Sequence, residues 1–149
     1  MMKIYLARPF TGHSYKEVAA YYKKCSKELT KYGYQILNPL TCKNFLKNEK
    51  SLKSGYFNHP AITPHAIFRR DKWMVKQADI VYANLLSSTK VSIGVCFELA
   101  WANTYHKHTI LAVNQNNVYN HAFLIEAADM TFTKHEEVIK YLKELTRGR

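Results

Sequence analysis

Apolar positions along the chain switch between short continuous runs and a helical rhythm. The run KIYLA (3–7) stops at a Pro/Gly turn and predicts a strand. From Ser14 to Lys31, residues Val18, Tyr21, Tyr22, Cys25 and Leu29 keep helical spacing, and Gly33 ends that helix. YQILN (34–38) reads as a second strand, closed by Pro39. The stretch from about 40 to 63 is polar and weakly periodic, and its length points to a lid or substrate-covering loop. Thr63 as N-cap and Pro64 at the first helical position open a helix that runs to about Gln77. DIVYANL (79–85) has the unbroken apolar character of a buried parallel strand. A helix from Ile93 to Tyr105, a strand TILAV (109–113) and a short helical piece near 121–127 follow. MTFT (130–133) predicts a fifth strand, and Lys134 to Arg147 a closing amphipathic helix.

Such strand–helix alternation implies an α/β domain, a parallel sheet with helices on both faces. Five strands point to a flavodoxin-like, doubly wound sheet of order 2-1-3-4-5, formed by a single domain over 1–149. Ligands in such sheets sit beyond the carboxyl ends of the strands, near the switch point between strands 1 and 3. The loops RPFTGH, NPLT, SSTKVSIG and NQNN are therefore expected to ring one cleft. That placement makes Arg8, Pro9, Phe10, Thr11, Gly12 and Asn38 candidate substrate-binding residues.

Composition narrows the classes. Among 149 residues, 47% are hydrophobic and 22% charged, a globular balance. No apolar run is long enough to span a bilayer, and MMKIYLARPF turns polar too soon for a signal peptide. Cys25, Cys42 and Cys96 lack metal-ligand spacing and read as reduced thiols of a cytoplasmic protein. His106 and His108 are two apart rather than four, so no metal site is expected. The net charge of +11 favours an anionic partner. Its lysines are dispersed over helix faces, with no zinc finger and no aromatic-studded RNA motif, which argues against nucleic acid. A phosphorylated small molecule fits the same sign.

The chemistry concentrates around KVSIGVCFELAWA (90–102), where Glu98 interrupts an apolar helix face. Its position in the early turns of that helix favours the ionised carboxylate. Gly94 clears space for a ligand, and Ser92 with the following amides forms a candidate anion cradle. Taken alone, Glu98 is equally a cap or a solvent-facing charge. A second acid changes the balance: Asp71, two turns into the preceding helix, reaches the same cleft from the other side of strand 3. Two carboxylates on one cleft are what glycosidic-bond chemistry requires. Asp79 reads as a turn residue. Tyr5, inside strand 1, is a core residue or an orienting partner for Glu98. Phe10 is placed to stack on a planar ring, and His121 to donate to an anion or to serve structure alone.

Three blocks, IYLARPFTG (4–12), RDKWMVKQADIVYANL (70–85) and SIGVCFELAWA (92–102), resemble the nucleoside 2-deoxyribosyltransferase superfamily, including its branch that hydrolyses nucleoside 5'-monophosphates. The resemblance implies that Glu98 is a nucleophile forming a covalent glycosyl ester, and that Asp71 contacts the base or assists its protonation. It implies that Tyr5 holds the nucleophile and that no cofactor or metal is needed. Ser92 falls where the hydrolase branch has a phosphate-binding serine, and His121 near another such position. Arg8 and Pro9 depart from the small residues common in the first loop, and the 40–63 segment has no clear counterpart. Further implications are a nucleoside or nucleotide substrate, an acceptor base and a homodimer or larger assembly. Transfer to that base and hydrolysis of 5'-monophosphates both remain open, as does a non-catalytic nucleotide-binding module.

Overall fold

In the computed structural model, which describes residues 1–148, five parallel strands pair in the order β2-β1-β3-β4-β5. They are β1 (Lys3–Ala7), β2 (Gln35–Leu37), β3 (Ile80–Asn84), β4 (His108–Ala112) and β5 (Met130–Phe132). The helices are α1 (Tyr15–Thr30), α2 (Pro64–Gln77), α3 (Ile93–Thr104), α4 (Ala122–Glu126) and α5 (His135–Arg147). This is the flavodoxin-like order expected from the alternation. β1 runs between β2 and β3, so the order reverses beside it and opens the crevice at the strands' carboxyl ends.

Alternation within the strands divides the core into two faces. Ile4 and Leu6 of β1 join Tyr22 and Leu29 of α1 and Leu142 of α5. Tyr5 and Ala7 point to the opposite face and pack with Val75 of α2 and Val95 and Leu99 of α3. The helix ends follow local chemistry. Ser14 caps α1 by accepting from the Glu17 amide at 3.1 Å, and Thr63 caps α2 by accepting from Ala66. Past α1 the chain turns at Gly33, whose φ of +83° suits a residue without Cβ. Asp79 is the turn residue expected: its Oδ2 accepts from the Lys3 amide at 2.8 Å and ties the start of β3 to β1.

Two elements differ from expectation. β2 is shorter than the 34–38 run, because Tyr34 leaves the ladder, enters the core and donates its hydroxyl to the Leu142 carbonyl at 2.7 Å. The 40–63 segment is an anchored buttress rather than a free lid. It holds two 3-10 turns, Asn44–Leu46 and Pro60–Ile62, and buries Leu40, Leu46, Leu52 and Ile62. Leu52 bonds through its backbone to both Gly12 and His13 at 2.8 Å, stitching the segment to the loop after β1. Its apolar anchors are spaced irregularly, which is why no periodicity marked them.

The segment meets α2 at Gly55, where a Cβ would lie 2.5 Å from Pro64 Cγ and 2.9 Å from the Pro64 backbone nitrogen. A proline ring at a helix start cannot swing aside. Gly55→Ala is therefore expected to destabilise the protein by roughly 1–3 kcal/mol; an unchanged denaturation midpoint would show that the segment packs otherwise.

Candidate active site

Glu98 occupies a core-facing position of α3, on the same stripe as Val95, Leu99 and Ala102. Asp71 does the same on α2, in register with Met74 and Val75. Helical spacing thus places one carboxylate on the buried face of each helix. Glu98 is 6% exposed and Asp71 7%. Across from them, the pleat of β1 turns Tyr5 toward α3, and its hydroxyl donates to Glu98 Oε1 at 2.7 Å. Glu98 Oε2 has no hydrogen-bond partner among the described residues.

The third charge is one that sequence reasoning missed. Lys43, in the 40–63 segment, is 1% exposed, and its Nζ lies 3.7 Å from Asp71 Oδ1. The ammonium also sits over the Phe10 ring, 4.8 Å from its centroid. Nothing in the sequence separates Lys43 from the many lysines that remain in solvent; only its tertiary burial does.

Burial dominates the electrostatics. Loss of water pushes the Glu98 carboxyl up to about 8, the Asp71 charge pushes the same way, and the Tyr5 hydrogen bond and Lys43 pull it back. Asp71 is also raised by burial, against the downward pull of Lys43 and Arg70. Lys43 is lowered by burial, against the pull of the two acids.

In front of the acids opens a cavity of about 320 Å³, lined by Asp71, Glu98, Gly94 and Ser54 and walled by aromatic rings. Phe68, Phe97 and Trp101 meet edge-on or tilted at centroid distances of 5.0–5.8 Å. A Cβ at Gly94 would meet just the Ser92 hydroxyl, at 3.7 Å, so protein packing does not demand glycine there. The space belongs to the cavity. A larger groove of about 570 Å³ runs along the other side of α3, past Val91, Val118 and Phe123. It is apolar and has no paired acids, which are confined to the smaller cavity.

The other candidates are distributed more widely than one cleft. Arg8, Pro9 and Thr11 line a separate notch of about 110 Å³ with Ser87, Thr89 and Lys90, and the Arg8 guanidinium stacks over Tyr21 at 4.4 Å. Phe10 supports Lys43. Gly12 bonds to the Leu52 carbonyl. Asn38 shapes its own turn, its Oδ1 accepting from the Leu40 amide at 2.8 Å. Ser92 caps α3 through the Val95 amide, while its own amide donates to the Tyr119 hydroxyl. His121 is not brought to Glu98 within this chain. It caps α4 by accepting from the Phe123 amide at 3.2 Å and lines the apolar groove. Its position after β4, on the far side of α3, separates it from the acids.

Residues 4–141 match the nucleoside 2-deoxyribosyltransferase family. The chain belongs to that family. A sequence comparison with curated proteins finds no match. Among solved structures, a Clostridium botulinum CMP N-glycosidase, BcmB, is similar at 17% identity and a TM-score of 0.59, covering 96% of this chain and 98% of that one. A 2-deoxyribosyltransferase of Bacillus psychrosaccharolyticus is similar at 20% identity and a TM-score of 0.65, covering 93% and 91%. A Leishmania mexicana counterpart gives 18% and 0.65, covering 97% and 98%. At these identities the likeness is one of fold. In this nucleoside 2-deoxyribosyltransferase family member, no helix among the described residues is long and apolar enough to cross a membrane.

The raised acid has a consequence for stability. Between the ordinary glutamate value of 4.5 and about 8, the unfolded chain has released a proton that folded Glu98 keeps. The native state then binds more protons, so stability falls as pH rises through that window, by about 1.4 kcal/mol per unit of separation. Glu98→Gln removes the ionisation. Denaturant unfolding at pH 5 and pH 8 is expected to show the wild type losing a few kcal/mol more than the variant over that interval; parallel losses would contradict the assignment.

Proposed function

We propose that the protein cleaves the N-glycosidic bond of 2'-deoxyribonucleosides or their 5'-monophosphates through a covalent glycosyl-Glu98 intermediate, passing the sugar to an acceptor base. The observation that carries this reading is the Tyr5–Glu98 hydrogen bond of 2.7 Å on one carboxylate oxygen, with the other unpartnered and Asp71 lining the same cavity. Tyr5 fixes the side chain and favours its charged form. In the first step a Glu98 oxygen bonds to C1' as the C1'–N bond breaks and its electron pair moves to the base. Asp71, held as a carboxylate, contacts the base and orients it for departure, and the displaced base takes its proton from water. In the second step the acceptor base displaces Glu98. A missing 2'-hydroxyl eases positive charge at C1', which favours deoxyribose. The aromatic wall of Phe68, Phe97 and Trp101 is suited to a flat heterocycle.

Hydrolysis of 5'-monophosphates is the second reading. The basic, hydroxyl-rich notch of Arg8, Thr11, Ser87 and Lys90 favours it, as does the net charge of +11. A homodimer or larger assembly in the cytoplasm is part of the proposal, supported by the exposed apolar groove beside α3.

A panel of deoxynucleosides and their 5'-monophosphates, each with and without a second base, separates the readings by chromatography. Exchange that requires the added base indicates transfer; release from monophosphates alone indicates hydrolysis. Glu98→Ala is expected to lower turnover at least about a thousandfold while the circular dichroism spectrum stays native. A fully active variant would rule out the nucleophile. With the wild type, kcat/KM should climb with pH and level off above about 8 as Glu98 ionises. Tyr5→Phe should cut kcat/KM roughly ten- to a hundredfold and move that rise to higher pH, because the bond it deletes favours the carboxylate. A Tyr5→Phe profile superimposable on the wild type would leave Tyr5 as a core residue alone.

A further inference from the structure

We propose that Lys43 is a positioning residue of this reaction: its buried ammonium is the internal counter-charge that keeps Asp71 a carboxylate and sets how many protons the Asp71–Glu98 pair holds. The inference rests on the reading of these two acids as the reacting pair. It begins from an imbalance in the core. Two carboxylates buried against the same cavity repel each other, and each alone would favour protonation. Lys43 is the cation set against them. Its ammonium is 3.7 Å from Asp71 Oδ1, and neither that nitrogen nor that oxygen has a closer hydrogen-bond partner among the described residues.

The surrounding structure is built to deliver this one charge. Leu40 and Leu46 anchor the segment on either side of Lys43, and Phe10 receives the ammonium on its ring face. Cys42, immediately before it, adopts a left-handed φ of +62°, which a non-glycine residue rarely takes. Such backbone conformations persist where the surroundings enforce them, and here the turn precedes a lysine driven fully inward. A lysine needed just for packing would carry its stem inward and its ammonium out to water. This one buries stem and ammonium alike.

Apart from Arg70, the other groups facing the pair are uncharged. Tyr5 of β1 donates a neutral hydrogen bond to Glu98. The buried Tyr22 of α1, with Cys96 of α3 and Tyr119 beyond β4, lies within electrostatic reach of Glu98, and each is uncharged in its raised state. Arg70 of α2 is the other cation near Asp71 and favours its carboxylate too, second to Lys43; its Nη1 donates to the Ala61 carbonyl at 2.9 Å. It helps hold the end of the 40–63 segment.

Lys43→Met keeps the stem and deletes the charge. The test follows carboxyl titration by NMR in protein labelled at Asp and Glu side chains, which needs no turnover, alongside the pH profile of kcat/KM. The second proton of the acid pair is expected to leave about one pH unit or more higher in Lys43→Met than in the wild type, with the acidic limb of kcat/KM moving alike. In Lys43→Met/Asp71→Asn the like charge is gone too, and Glu98 should titrate back below the Lys43→Met value. An unmoved titration in Lys43→Met overturns the proposal. If Lys43→Met does not fold but the double variant does, an uncompensated charge is the cause and the proposal stands; if neither folds, Lys43 is a packing residue and the proposal falls. A wild type that releases no base from any substrate would instead defeat the proposed reaction, leaving the titration as a separate result.

Discussion

Two carboxylates lie on the core-facing stripes of α2 and α3, and the arrangement of the site follows from keeping them there. An unpaired buried charge is costly enough that a protein ordinarily neutralises it or pairs it. Here the remedy is divided. Glu98 receives the Tyr5 hydroxyl from β1, and Asp71 receives the Lys43 ammonium from the segment after β2. Four separate parts of the chain must therefore be in place before either acid is tolerable. The β1–β3 pairing, with Tyr5 opposite Val81, holds Tyr5 at the depth that Glu98 needs. A one-residue slip of β1 would turn the hydroxyl to the other face.

The same constraint gives the cavity its two-sided character. Its floor is polar and buried, and its wall is the ring cluster of Phe68, Phe97 and Trp101, partly open to solvent. A low-dielectric floor strengthens every interaction with charge that develops there. It also holds Glu98 near its titration point rather than fully ionised, so the protein's stability and its proposed chemistry draw on the same proton. The anchored 40–63 segment contributes from below: it supports α2 at Pro64, and it carries Lys43.

Much of this was legible along the chain because period and punctuation are local. The strands and helices, the cap Thr63 and Asp79 at its turn emerge from spacing that neighbouring residues fix among themselves, whereas the strand order follows from the alternation only by analogy with other five-stranded sheets. Glu98 stood out because it breaks an apolar stripe, and Asp71 because its place along the preceding helix brings it to the same cleft. Lys43, Phe68 and Phe97 did not, since a lysine in a polar stretch and aromatics on a helix look the same whether or not they border a cavity. Asn38 and His121 illustrate the converse. Their side chains suit ligand binding, yet in this chain one closes a turn and the other caps a helix.

The sequence by itself determined the parallel sheet, its helices and two acids directed toward one cleft, because helical and strand periods dictate which elements form and where their ends lie. It could not determine which distant residue would meet each acid. That depends on how an irregular segment folds back across the sheet, and irregular segments obey packing rather than period. The tertiary structure alone decided that a lysine would be driven beneath Asp71 and that the first loop would close a notch of its own, because those contacts join parts of the chain with no shared rhythm.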